Sequence, residues 1–201
     1  LDILGGRQFT AGYYGEKITF KIDYQRNRYY IGGTNPGNDP PVIAGDTIRG
    51  SMYLAAFDQA GQVIWKKETD PQSGTLNEFD LDAQGNLFLT GDGIDGVDLF
   101  NNVTLSSPSN SSGPYIMKMD PAGNTLWTKL SVTNNVAPGL GLVVEGNEFA
   151  ITGYHGGIYW PGPNDQDTLT APFNSGYEAF IARFDENLVW CICPRSKAHW
   201  Q

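Results

Sequence analysis

Asp92, Asp95 and Asp98 recur at every third residue of GDGIDGVDLF, a spacing that would gather carboxylate oxygens around a calcium ion. The residue order of an EF-hand loop is absent, so calcium is the single cofactor this chain suggests, and on this stretch alone. Cys191 and Cys193 stand two apart, and His199 follows. A C-x-C pair with one His is an incomplete zinc set, and a disulfide between residues i and i+2 would be strained. The plainer reading puts both cysteines on one face of a final strand. Besides His199 the only histidine is His155, and no nucleophile motif or phosphate-cradling glycine loop is present. The residues therefore lean away from an enzyme, with no catalytic set to name. A recognition surface has a better candidate in GYHGGIYWPG, Gly153 to Gly162. There Tyr154, His155, Tyr159 and Trp160 would stack on sugars or anchor a protein, unless their rings pack against neighbouring strands.

The elements that position these residues are written as a repeat. FDQAGQVIW (Phe57 to Trp65), MDPAGNTLW (Met119 to Trp127) and FDENLVW (Phe184 to Trp190) are variants of one phrase, with tryptophans 62 and then 63 residues apart. A second phrase alternates with it, in FDLDAQGNLFLTG from Phe79, VVEGNEFAITG from Val143 and, more loosely, FKIDYQRNRYYIG from Phe20. Each is an apolar run, a polar turn and another apolar run, the pattern of a β-hairpin. Asp58, Asp82 and Asp120 would accept bonds from turn amides, while Gly61, Gly85 and Gly123 supply the positive φ of a bulged turn. Asp185 begins a turn without that glycine, which must be tighter. Six hairpins, about twelve strands, are expected.

Tyr53, Ala55 and Phe57 share one face of their strand and Leu54 and Ala56 the other, and both faces are apolar. Tyr115, Met117 and Met119 repeat this opposite Ile116; Phe180, Ala182 and Phe184 repeat it opposite Ile181 and Arg183. Such runs imply sheets covered on both sides. Sheets stacked around an axis form a β-propeller, so the expected fold is all-β, about three four-stranded antiparallel blades of an incomplete ring. The propeller segment spans residues 1–193, in units of approximately 4–68, 69–131 and 132–193, and 194–201 is an unassigned tail. Trp65, Trp127 and Trp190, recurring in one strand of every unit, are read as core residues.

The stretch from Tyr115 to Trp127 followed by Leu140 to Gly153 resembles the bacterial SBBP-type β-propeller repeat, found in secreted proteins of Bacteroidetes-like bacteria. Gly91 to Leu105 resembles that family's connecting loop, and the likeness covers roughly residues 4 to 190. The Asp-x-x-Gly and Trp also resemble quinoprotein-like propeller repeats, whose period is shorter. The family resemblance implies architecture and an extracellular or cell-surface location. It implies no common catalytic set.

Three blades are fewer than the four to eight that close a propeller. A bare blade face of about 350 Å² would forfeit up to roughly 9 kcal/mol. The expected partners are therefore the rest of a longer polypeptide or identical copies that complete the ring. The start within a unit, without Met, favours the former. The net charge of −9, with scattered Lys and Arg, argues against nucleic acid, and no apolar run is long enough for a membrane-spanning helix. Two sequons, at Asn102 and Asn110, lie in one connection and carry no weight in a bacterial protein. The expected function is a non-catalytic scaffold, adhesion or protein-interaction module. A carbohydrate-binding or carbohydrate-active propeller is the alternative, and would place paired carboxylates in the central channel. A quinone-type cofactor enzyme would need ligands that the sequence lacks.

Overall fold

A computed structural model describes residues 17–35, 37, 40–107, 112–133, 138–160, 168–169, 178–185 and 190–192. Among them the fold is all-β, with one 3-10 turn and no α-helix. The first sheet holds β1 (Ile18–Asp23) and β2 (Arg28–Thr34); a small hairpin of β3 (Val42–Ile43) and β4 (Asp46–Thr47) leads to β5 (Met52–Asp58) and β6 (Val63–Glu68). The second holds β7 (Glu78–Leu81) and β8 (Leu87–Ile94), then β9 (Asp98–Leu99), the turn Phe100–Asn102 and β10 (Val103–Thr104), then β11 (Ser112–Met119) and β12 (Thr125–Leu130). After β13 (Val132–Thr133), the third holds β14 (Gly139–Glu145) and β15 (Glu148–His155), an insert of β16 (Ile158–Tyr159) and β17 (Thr168–Leu169), then β18 (Glu178–Asp185) and β19 (Trp190–Ile192). Each main sheet is a four-stranded antiparallel meander, giving the expected six hairpins.

The hairpin turns form as their residues dictate. Gly61, Gly85 and Gly123 have φ of 73°, 78° and 83°. The Oδ1 atoms of Asp58, Asp82 and Asp120 accept the N–H of Gln62, Asn86 and Asn124, each at 2.8 Å. Burial works against the Asp120 charge, but the Asn124 amide and the turn N–H groups of Asn124, Ala122 and Gly123 outweigh it and hold the carboxyl below its ordinary range. Asp23 holds a related turn one residue earlier, its Oδ1 accepting the N–H of Gln25 and Arg26, with Asn27 at φ 53°.

A recurring cross-strand pair fixes the middle of each sheet. Gly33 faces Tyr53, Gly91 faces Tyr115 and Gly153 faces Phe180. A Cβ at these glycines would stand 2.1 Å from Lys17 O, 1.8 Å from Thr75 O and 2.1 Å from Pro138 O. The close approach of the backbone entering the sheet leaves room only for hydrogen, and the ring opposite fills the space.

Between the first and second sheets lies a core in which Tyr30, Met52, Leu54 and Ala56 meet Phe79, Leu89, Tyr115 and Met117. Between the second and third, Phe88 and Ile116 meet Leu142, Phe149, Ile151, Phe180 and Phe184. The expectation of two covered faces thus holds for the second sheet. On the first, Ile43 and Ile48 of the small hairpin cover Tyr53 and Ala55. The third sheet departs from it: Phe180, Ala182 and Phe184 are buried, yet Ile181 on the opposite face is 59% exposed.

The seams are stapled along the strands that begin each sheet. Lys21 Nζ lies 3.7 Å from a Glu78 oxygen and 3.4 Å from an Asp80 oxygen, and Asp80 Oδ2 accepts Val144 N–H at 2.9 Å. Toward the opposite edge the inserts fill in: Leu99, Phe100 and Leu105 join the first seam, Ile158 and Trp160 the second. Lys67 Nζ reaches Asn101 Oδ1, and β13 pairs directly with β16. Trp65 donates Nε1–H to Pro121 O at 3.1 Å, and Arg28 donates to the same carbonyl at 2.9 Å.

Trp190 breaks the repeat's register. Trp65 pairs with Ala56 and Trp127 with Lys118, each beside a bulge, whereas Trp190 pairs with Phe184 and leaves Cys191 opposite Arg183. From Asp185 to Trp190 there are two fewer residues than in the other units, so the third tryptophan reaches the strand earlier.

Candidate recognition surface

The aromatic loop divides when it is folded. Tyr154 and His155 end β15, and alternation sends them to opposite faces. Tyr154 is 37% exposed on the open face of the third sheet. His155 is 3% exposed, its ring edge-on to Phe180 at 5.8 Å. Trp160 is 2% exposed and packs on Phe180 at 5.8 Å and, edge to face, on Phe184 at 5.2 Å. Tyr159, in β16, is half-buried. The four rings expected to present one recognition surface therefore do not do so; His155 and Trp160 seal the second seam. Pro161 and Gly162 lie outside the described residues.

Asp92, Asp95 and Asp98 are not brought together either. Asp92 lies near the end of β8, Asp95 sits in the turn that follows and Asp98 opens β9. Asp95 Oδ1 accepts Ser107 N–H, and Asp98 Oδ1 accepts the Thr104 hydroxyl, so both carboxylates hold the loop. Among the described residues no three His, Cys, Asp or Glu side chains form a group that could hold a metal ion. Spacing along an extended, turning chain is not convergence, and the three aspartates form no such group. Cys193, His199 and the tail lie outside the described residues.

Asp92 nonetheless stands out. Its Oδ1 is buried and accepts no hydrogen bond from a described residue, and burial pushes the carboxyl up to about 6. Its place in the repeat is that of Thr34, whose hydroxyl donates to Leu76 O at 3.0 Å and accepts Leu76 N–H at 2.9 Å across the first seam. Tyr115 carries a phenol pushed far up, by burial and then by the Asp92 charge; its hydroxyl lies 3.5 Å from Met52 Sδ.

Glu78 and Asp80, two residues apart on β7, are carboxylates of one strand face. Both lie within ion-pair distance of Lys21 Nζ, and Asp80 also accepts the backbone N–H of Val144.

The local patterns did not single out the residues that form the two end faces. Phe20 is 51% and Ile18 43% exposed on the outer face of the first sheet; Ile181 is 59% and Val143 55% exposed on that of the third. The signal was present in the repeat, since Phe20 and Ile181 occupy the positions filled by the buried Phe79 and Ile116 in the second sheet. Among the described residues no helix is long and apolar enough to cross a membrane. Neither known protein families nor curated proteins yielded a match to the chain.

Proposed function

We propose that the chain is a non-catalytic β-propeller module of a secreted or cell-surface protein, with each four-stranded sheet serving as a blade and the whole as a scaffold for adhesion or protein interaction. The observation that carries this reading is the equivalence of the two seams: sheets joined by the same positions, with inserts of different sequence between their middle strands. Rigid repeats with diverse connections are suited to presenting surfaces rather than to chemistry. The likeness to the SBBP-type repeat supports the same reading, as does the commitment of Glu78, Asp80, Asp95 and Asp98 to structural bonds.

A glycan array and a panel of glycosidase substrates test it against the carbohydrate alternative. Silence in both is expected. Turnover of a glycoside that is lost in Asp80→Asn or Glu78→Gln would overturn the non-catalytic reading.

A further inference from the structure

The two internal seams differ at one equivalent position. Gly33 and Gly91 face Tyr53 and Tyr115, so the residues after them, Thr34 and Asp92, correspond and stand opposite Met52 and Pro114. Leu76 and Gly139 correspond in turn, each three residues before the apolar residue, Phe79 or Leu142, that packs on the sheet before it. In the first seam the Thr34 hydroxyl donates to Leu76 O and accepts Leu76 N–H, so one side chain satisfies both backbone groups of the strand entering the second sheet. In the second seam Gly139 lies as close, since a Cβ there would stand 2.4 Å from Thr90 Oγ1 and 3.4 Å from Gly91 O. Thr90 and Asp92 share one strand face, and alternation turns the Asp92 carboxyl toward the strand entering the third sheet. Its buried Oδ1 nonetheless takes no hydrogen bond from a described residue.

The chemistry of the side chain accounts for the difference. A hydroxyl donates and accepts, whereas an ionised carboxylate only accepts and leaves any carbonyl it meets without a donor. Protonation supplies the O–H. The surrounding groups offer no compensation for the charge. From β11 come Pro114 and the Tyr115 phenol, whose ionisation the Asp92 charge opposes and whose hydroxyl reaches Met52. The chain entering β7 brings Gly74 and Thr75, and Thr75 Oγ1 accepts the Asp92 N–H at 3.0 Å. The charged residues of β7, Glu78 and Asp80, lie within ion-pair distance of Lys21, and Asp95 accepts Ser107 N–H. The other ties across the second seam are Asn77 Nδ2 on Gly139 O at 2.7 Å, Asp80 on Val144 N–H and the pairing of β13 with β16.

We infer that Asp92 is a proton-operated latch on the second seam: ionised, it lets the third sheet part from the second, and protonated, it fastens the two as the Thr34 hydroxyl fastens the first and second. The device belongs to the seam itself and holds whatever larger assembly the sheets serve.

The Val144 amide reports on the latch, because its N–H crosses the seam to Asp80 and exchanges with solvent when the seam opens. Its protection, measured by NMR and corrected for the intrinsic exchange rate, should rise roughly tenfold in the parent between pH 7.5 and pH 5. Asp92→Thr, which installs the side chain of the first seam, should show high protection at both pH values. Asp92→Ala should lose the pH dependence without gaining the protection of Asp92→Thr, since it has neither charge nor donor. Asp80 is present in all three chains and so cannot produce a difference between them. Equal pH dependence in the parent and Asp92→Thr would overturn the latch. Asp92→Ala as well protected as Asp92→Thr would mean that removal of the charge is the whole effect, and would overturn the fastening role of the proton. Should Asp92→Ala fail to fold, Asp92→Thr against the parent at the two pH values decides.

Discussion

Replacing Asp92 by Asn should stabilise the protein at neutral pH. The buried Oδ1 of Asp92 takes no hydrogen bond from a described residue, and burial raises its carboxyl from the ordinary 3.8 to about 6. A carboxyl with a raised folded pKa binds its proton more tightly in the native state than in the unfolded chain. Above about pH 6 the charged group is a penalty. As pH falls from about 6 toward 4 the native state takes up the proton first and stability rises, and below about 4 both states are protonated and the gain is complete. At about 1.4 kcal/mol per pH unit, the interval corresponds to about 3 kcal/mol. Solvent reaches part of the side chain, which reduces this to on the order of 1–2 kcal/mol. Asn keeps the shape and removes the charge. Urea unfolding of parent and variant at about pH 7.5 should show that difference in the variant's favour, and the two curves should converge near pH 4. Parallel pH profiles, with a variant no more stable than the parent at neutral pH, would refute the reading of Asp92 as a desolvated, unpaired carboxylate.

Gly91→Ala should cost about 2–4 kcal/mol, since its Cβ would stand 1.8 Å from Thr75 O and 3.1 Å from the Tyr115 ring. Gly37→Ala is the control: it has open space but a φ of +87°, and thermal unfolding should report only about 1–2 kcal/mol. Ala44, at φ 51° before Gly45 at φ 88°, strains the small hairpin, and Ala44→Asn should raise the stability by about 0.5–1 kcal/mol in the same assay. Added calcium should leave the melting temperature unchanged, because Asp95 and Asp98 are already bonded to Ser107 and Thr104.

The hairpins were legible because their cause is local. An Asp accepting turn amides and a Gly with positive φ lie within four residues of each other, and the two-residue alternation of Leu54 and Tyr53 assigns their faces without reference to the rest of the chain. The aromatic loop was not legible, since the burial of His155 and Trp160 depends on Phe180 and Phe184, which arrive twenty or more residues later. The aspartate triplet does not converge for a related reason: a period of three has no fixed geometry in a chain that leaves a strand and turns. The loose faces at Phe20 and Ile181 required knowing which sheet follows which. Apolarity alone marks Ile116 and Ile181 identically, though one is buried and the other bare.

The repeated tryptophans, read from sequence as equivalent core residues, differ in a way that mutation can separate. Trp65 and Trp127 occupy the same register beside the same bulge. Trp65 joins two sheets by donating Nε1–H to Pro121 O, whereas Trp127 works through its ring, edge-on to Phe88 at 6.0 Å and tilted on Phe149 at 6.3 Å. Trp→Phe removes similar ring volume at both. Only at position 65 does it also remove a hydrogen bond across a seam, and Arg28 remains to satisfy the Pro121 carbonyl. The added cost is therefore that of one net hydrogen bond, about 1 kcal/mol, rather than that of an orphaned buried acceptor. Urea denaturation of Trp65→Phe and Trp127→Phe should show that gap, and Arg28→Ala in the Trp65→Phe background should widen it beyond the sum of the single changes, because the carbonyl then loses both donors. Equal losses in the two tryptophan variants, with additive behaviour of Arg28→Ala, would mean that Trp65 is packing alone and that the first seam is held by its apolar core.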